Sequence, residues 1–377
     1  MSQLASARPQ TRGLRLSATL ALYIARSFTV RFLTLLGGIA AIILLVSTIE
    51  ELDQLGSNTE VSLPAAAFAA VLKLPQLSQE VMPFAVLFAA MATFWRMTRT
   101  HELVVARAAG ISVWQLLLPV LAVAVAIGVL TTTLLNPISS VMLRHYDQLQ
   151  AQYNGGQTST LSVSKTGLWL RQADGRGQSV IHATRVRQSD MMLFDVIVFR
   201  FTGPSDFESR IDAKRAKLED GQWVLFEAWL TKPGQDGRFV ERTTLKTDLT
   251  PDKIYRSFAP PETISFWRLP EFVDLLENAG FAAEPHRLQL HRLLAKPLLL
   301  SAMILLAATF SLRPHRRGGV VATIVAGVLT GFLIYVLSNI VFALGLSSKV
   351  PVVMAAWTPA VVSLMLGGAS LLHLEDG

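Results

Sequence analysis

Apolar positions in this 377-residue chain arrive as long runs rather than as alternation. The first, SFTVRFLTLLGGIAAIILLVSTI, covers residues 27–49. A second extends from Pro64 to about Trp95, and a third from about Ile111 to Leu135, where Asn136-Pro137 ends it. Beyond a polar stretch, three more occupy about 291–312, 319–343 and 351–373. A helix of about 18 or more apolar residues crosses roughly 30 Å of hydrocarbon, so six membrane spans are expected. The second run is too long for one straight span, at roughly 50 Å. Pro75 and Pro83 bracket its more polar QLSQEVM, and a kink or break is expected there. Ahead of the first run, LSATLALYIARSF has the amphipathic pattern of a segment lying along the interface.

Between the third and fourth runs the period changes to two. GLWLRQADGRGQSVIHATRV alternates around a Gly-rich turn, and MMLFDVIVFRF is β-branched and aromatic. RIDAKRAKLEDGQWVLFEAWL reads as two strands around EDGQ, and RFVERTTLKTDLTP as another. Six to nine strands are expected, as a sandwich or jelly roll. LPEFVDLLENAG then reads as a short helix, with Pro270 in its first turn and Gly280 at its C-cap. The expected plan is an α-helical membrane protein of 3+3 spans with an all-β, jellyroll-like domain inserted. Its N-terminal transmembrane half is 1–143, the β domain 144–262, a connecting segment 263–288 and the C-terminal transmembrane half 289–377.

Composition agrees: 51% of residues are hydrophobic and 16% charged, against about 25% charged in soluble chains. The absence of cysteine excludes disulfides, thiolate metal sites and a cysteine nucleophile. The net charge of +7 matters chiefly by where it sits. Arginine is concentrated in the N-terminal arm, in 96–110 and in RPHRR (313–317), whereas the 50–63 loop has no basic residue. The positive-inside rule places the arginine-rich loops and both termini in the cytoplasm and the β domain on the opposite side. No nucleic acid partner is expected.

Catalytic motifs are missing. The chain has no GxxxxGK[ST] phosphate loop and no GxSxG elbow. HELVV starts like a zinc helix, but Val105 stands where the second histidine belongs. His286 and His291 are five apart, a poor ligand spacing on one helix face, and Ser164-Lys165 sits in a strand pattern. The expectation is a non-enzymatic chain with no cofactor of its own.

RMTRTHELVVARAAG (96–110) is a charged, helix-compatible segment between two spans. Thr100 is the expected N-cap of a helix over about 100–110, Glu102 suits its first turn, and Gly110 ends it. A solvated loop gains nothing from the apolar strip of Leu103, Val104 and Ala108, so the segment reads as a docking stub that receives force from a cytoplasmic motor.

That segment resembles the ELVVM-x-A-x-G motif of the lipopolysaccharide export permeases LptF and LptG. The resemblance covers nearly the whole chain. It takes in LDQL (52–55), the Pro75 and Pro83 spacing, GLW (167–169), LTPDK (249–253) and KPL (296–298), in family order. LDQL and LTPDK are more like LptG.

The resemblance implies an inner-membrane subunit of an ABC-type exporter, with its β domain in the periplasm. Implied partners are an LptB-like ATPase dimer that binds ATP and Mg, a second permease LptF, and LptC with a periplasmic bridge protein. The implied substrate is lipopolysaccharide, drawn from the membrane into the β domain. Glu102 would be the charged contact with the ATPase, with Leu103, Val104, Ala108 and Gly110 shaping the docking face. Asp53, Glu50, Lys73 and Arg144 would stand at the rim of the lipid cavity, and Trp169, Phe194, Val196, Val198, Leu225 and Trp229 would line the jellyroll groove. One departure is plain: Glu50, Glu51 and Gln76 stand where the family pattern has basic residues. Two other classes remain open at this point. One is a mechanical transmitter that moves a periplasmic partner; the other is a secondary transporter using Glu80 and Arg31 as relays.

Overall fold

In the computed structural model, the described residues are 17–56, 62–153, 160–164, 167–174, 177–187, 190–202, 206–219, 221–247, 259–278, 281–312 and 320–375. RPHRR, LTPDK, Lys165 and Gly280 fall outside them. Six helices are long and apolar enough to cross a membrane. The first is α1 (Ala18–Gly56), which absorbs the amphipathic upstream stretch into one continuous helix, so no separate interfacial segment forms. The second is α2 (Leu63–Arg99), followed by the stub α3 (Glu102–Ala108). The third span comprises α4 (Val113–Leu130), a π turn over Thr131–Leu135 and α5 (Asn136–Tyr153). After the β domain come α6 (Leu269–Asn278) and the last three spans, α7 (Glu284–Ser311), α8 (Val320–Leu346) and α9 (Val352–Glu375).

Two of these helices correct the expected boundaries. The second run does not break: α2 is continuous over 37 residues with Pro75 and Pro83 inside it. In a bundle, neighbouring helices and local adjustment tolerate a missing backbone bond. The third span likewise does not stop at Asn136-Pro137. Pro137 lacks an N–H and removes the helical donor to the carbonyl four residues back, Thr133. The chain widens into the π turn, and the Trp267 indole donates to that carbonyl at 3.1 Å. The Asn136 side chain accepts from the Phe266 backbone N–H at 2.8 Å. The segment after the β domain is thereby clasped to the helix before it. The helix continues to Tyr153 and the first strand starts at Thr160, later than the expected start of the β domain at 144.

The core of the bundle joins α1, α2, α3, α4, α7, α8 and α9 in one apolar cluster that includes Phe28, Leu87, Phe94, Leu117, Ile304 and Leu371. Closest approach is between α4 and α7. A Cβ on Gly128 would lie 2.5 Å from Pro297 Cα, so glycine is required where these two backbones meet.

The β domain is one seven-stranded antiparallel sheet in the order β1 to β7, a meander without crossovers among the described strands. The strands are β1 (Thr160–Ser164), β2 (Gly167–Asp174), β3 (Gly177–Arg187), β4 (Met192–Thr202), β5 (Asp206–Glu219), β6 (Gln222–Thr231) and β7 (Arg238–Lys246). One face is buried from β2 to β7. A ten-residue α6 is too short to cover a sheet of that width, so the sheet covers itself. The Gln172 side chain on β2 donates to the Lys246 carbonyl of β7 at 3.1 Å and accepts from the Thr247 hydroxyl. Five strand spacings of about 4.8 Å would separate β2 from β7 in a flat sheet, so the sheet must roll. This is the jellyroll-like form, reached from a simple meander.

A crease produces the roll. On four adjacent strands the inward residues lie three apart instead of two: Ala183 and Val186, Leu193 and Val196, Ala213 and Ala216, Leu225 and Ala228. The pairing skips one residue per strand along a line: Thr184, Asp195, Lys214, Glu227 and Glu241. Asp195 and Glu227 adopt positive φ, 52° and 54°. The register is the same on either side of this line, so each strand breaks its ladder at one residue opposite another, and the sheet folds there with both panels facing inward. On the crease Glu227 bridges Lys214 (2.7 Å) and Arg215 (3.0 Å), which hold its carboxyl below the usual carboxylate range.

Candidate functional site

Two features at opposite ends of the bundle carry functional geometry. The first is the stub. His101 starts α3 in a left-handed conformation (φ 60°), and Thr100 is not the N-cap. Instead the Thr100 hydroxyl donates to the Arg96 carbonyl (3.0 Å) and to Glu102 Oε1 (2.9 Å). The Tyr23 hydroxyl on α1 lies 3.3 Å from both Glu102 oxygens, so the carboxylate is held by span one as well as by its own turn. Gly110 takes φ 80° at the exit. Ser112 and Gln115 then form a reciprocal capping box that starts α4.

The docking strip expected from sequence divides. Leu103 points inward with Ala106, both packed into the transmembrane core cluster, and is not on the docking face. Val104 and Ala108 are on the outer face with Arg107. Val105, part of the Leu-Val-Val run but not among the residues expected to shape the docking face, is 67% exposed, more than Val104. At the same end, the Thr98 hydroxyl donates to the Ser311 carbonyl (3.3 Å), tying α2 to the end of α7. A load on α3 reaches span one through Glu102 and Tyr23 and span two by direct packing, and it reaches span four through α2.

The second feature is at the β-domain end. Glu51, and not its neighbour Glu50, turns inward and is fully buried. It accepts from Lys73 Nζ and from the Tyr146 hydroxyl, each at 2.9 Å, with the ammonium 4.9 Å from the Tyr146 ring centroid. Lys73 is therefore committed to an internal ion pair that joins α1, α2 and α5. Glu50 and Asp53 lie on the exposed side of α1. Arg144 donates to the Thr263 carbonyl at 3.1 Å. Of the four expected rim residues, Glu50 and Asp53 share the exposed side of α1, while Lys73 and Arg144 are each bonded elsewhere.

A cavity of about 110 Å³ opens instead between α2, α7, α8 and α9. Its polar wall includes Gln76, Gln79, Glu80, Gln289, Arg292 and Lys296. Lys296 donates to Gln79 Oε1 at 3.3 Å, and the Arg292 guanidinium lies over the Phe342 ring. The KPL pattern contains Lys296, but only the packing of span four against span two reveals where it points. Gln76 accepts from Ser139 and donates to Glu80 (3.4 Å). Arg31 bonds back to Ser27 on its own helix. Glu80 and Arg31 thus belong to separate local contacts, with no relay between them.

In the β domain the six expected groove residues fall on two faces. Val196, Val198 and Leu225 are buried on the inward face. Trp169 stacks on His182 at 4.4 Å and Trp229 on Phe239 at 5.5 Å, both on exposed side chains. Phe194 is half-buried beneath Arg185 and Arg187.

Residues 22–373 match the model of the lipopolysaccharide export system permease LptF/LptG family. The chain belongs to that family. It is similar to the lipopolysaccharide export system permease protein LptG of Escherichia coli strain K12, 28% identical over 325 residues, covering 84% of this chain and 87% of that protein. It is also similar to LptG of Haemophilus influenzae, 24% identical over 356 residues, covering 92% and 96%. The resemblance to LptG in particular rests on these relatives. Six spans and a permease family make this a multi-pass inner-membrane protein.

Proposed function

We propose that the chain is the permease subunit of an ATP-driven lipopolysaccharide exporter. It pairs with a second, LptF-like permease and is driven by an LptB-like ATPase dimer that binds the ATP and Mg. Lipid drawn from the membrane passes to the inward face of the β domain around Val196, Val198 and Leu225, and onward to LptC and a periplasmic bridge protein. In the orientation that goes with this, Arg96, Arg99 and Arg107 face the cytoplasm, as the positive-inside rule asks.

The observation that carries the reading is the two-sidedness of α3. Leu103 and Ala106 are built into the transmembrane core, while Val104 and Val105 are presented outward beside Glu102. A segment with that construction transmits a push from outside the membrane into the spans. The many acyl chains of the substrate explain a rolled β domain with a long apolar interior, and the mechanical-transmitter reading has no such use for it.

The test is copurification from membranes. Glu102→Ala should lower the yield of bound ATPase by roughly ten-fold, the equivalent of about 1.4 kcal/mol. Val105→Asp should do the same, and both should lower lipid release in proportion. Unchanged ATPase copurification together with unchanged release in both variants would refute the role of the stub.

A further inference from the structure

The cavity between α2, α7, α8 and α9 is amphipathic and electrostatically incomplete. Its polar end presents Lys296, whose three donors meet one acceptor, Gln79 Oε1. Gln79 Nε2 and Gln289 Oε1 are buried without a hydrogen-bond partner among the described residues. Both residues line the cavity, and both are more than nine-tenths buried. Buried polar groups are almost always satisfied, so this pair marks a place shaped for a further polar group. Two cations, Arg292 and Lys296, face the single acid Glu80, which already accepts from Gln76. The wall therefore carries a net positive charge, with a free amide donor and one free amide acceptor. Toward the stub end the lining turns apolar, with Leu299, Met303 and Ile334.

We propose that this cavity, inside a single permease subunit, is a binding site for an anionic lipid. The anionic oxygens of the head group lie against Lys296, Arg292 and Gln79 Nε2. A neighbouring hydroxyl donates to Gln289 Oε1, and one acyl chain descends along the apolar wall. The site is separate from the Glu51–Lys73–Tyr146 cluster, whose cation is already neutralised. It supplies the cations that the outer end of span one lacks. The chemistry, phosphate beside hydroxyl on an acyl chain, is shared by phosphatidylglycerol of the bilayer and by lipopolysaccharide. In the second case the site is part of the transport path, and that arm rests on the exporter reading above.

The natural absence of cysteine supplies the experiment. Ser338 lines the cavity, and Ser338→Cys gives a single thiol in the full-length protein. Its rate of modification by a methanethiosulfonate reagent is measured in phosphatidylcholine nanodiscs. Dodecyl phosphate, phosphatidylglycerol or purified lipopolysaccharide is then added, with dodecyltrimethylammonium as the charge control. Added at about ten times its Kd, an occupying anion should slow modification roughly ten-fold, while the cation leaves it unchanged. Lys296→Met should abolish the protection and Lys296→Arg should retain it. A Val104→Cys thiol on the exposed stub should not be protected by any of the four.

Protection by phosphatidylglycerol assigns a bilayer lipid, and protection by lipopolysaccharide alone assigns the cargo; either supports the site. Absence of protection by every anion, or protection that persists unchanged in Lys296→Met, overturns it. If Lys296→Met alters the unprotected rate, the Lys296→Arg result decides, with loss of protection counting against the proposal. Since nothing in the assay hydrolyses ATP or moves lipid, its failure leaves the exporter reading untouched, and failure of ATPase copurification leaves this site untouched.

Discussion

Spans two and four differ from spans one and five in the surface they hide. In the most apolar window of each, 56% and 67% of the residues of α2 and α7 are buried, against 11% and 17% for α1 and α8. All four have an apolar window long enough to cross the membrane, although α2 and α7 also carry the polar residues of the cavity, so span length and apolarity alone do not separate them. Burial does: α2 and α7 form a buried pair with the stub at one end and the cavity toward the other. From Gln79 to the end of α2 is 20 residues, or roughly 30 Å of helix. The surfaces of α1 and α8 are left for acyl chains or a partner subunit, where an apolar side chain needs no protein contact. One half of the bundle is frame and the other is face.

Perturbing the frame should have the largest effect. Gly128→Val forces a branched side chain into the backbone of Pro297, where overpacking costs about 3 kcal/mol or more. It should abolish recovery of folded protein in mild detergent, whereas Gly38→Val on α1, which has open space, should be recovered at wild-type yield. Equal yields would erase the distinction between the two pairs of spans.

Next in size is the buried polar tie of Glu51, which attaches the face to the frame at the β-domain end. Glu51→Ala leaves Lys73 and Tyr146 without their shared acceptor, and breaking a buried pair costs about 3 kcal/mol. Thermal unfolding should occur earlier, and proteolysis near the end of α1 should rise before proteolysis of α2. Simultaneous cleavage would mean that α1 is held elsewhere.

Smaller again is the clasp. Trp267→Phe removes a donor to the Thr133 carbonyl and should cost about 1 kcal/mol. Pro137→Ala restores the backbone N–H, so the same change in that background should cost less. Identical costs in the two backgrounds would refute the account of the π turn.

The smallest stability effect belongs to the stub. Val105→Asp on a 67% exposed side chain should shift stability within about 0.5 kcal/mol. Leu103→Asp in the core should cost several times more.

These sites also show how far the sequence could be read. Run length sets the spans, because only helices of that length satisfy their own backbone across hydrocarbon. Strand alternation around Gly-rich turns was likewise visible. The crease was not, because Leu193 and Val196 both point inward only if Asp195 takes a left-handed turn, and no local pattern around Asp195 announces one. The continuation through Pro137 depends on Trp267, 130 residues downstream of it. In the stub, the first-turn place of Glu102 was legible from the helix dipole and the outward Val104 from the apolar strip. Lys73 was read as a rim cation because its partner, Glu51, lies on another helix, and Lys296 was passed over because its surroundings come from three other spans.

The hydrogen bond from Trp267 to Thr133 spans 134 positions of sequence at a single helical turn. The β domain is thus tied off at its neck like a balloon on a knot. Closing a flexible loop grows costlier only as the logarithm of its length, about 0.6 kcal/mol per doubling. The membrane portion can therefore carry a larger or smaller extramembrane cargo-holder with little change in its own stability, and the two parts are free to diverge in size and sequence at different rates.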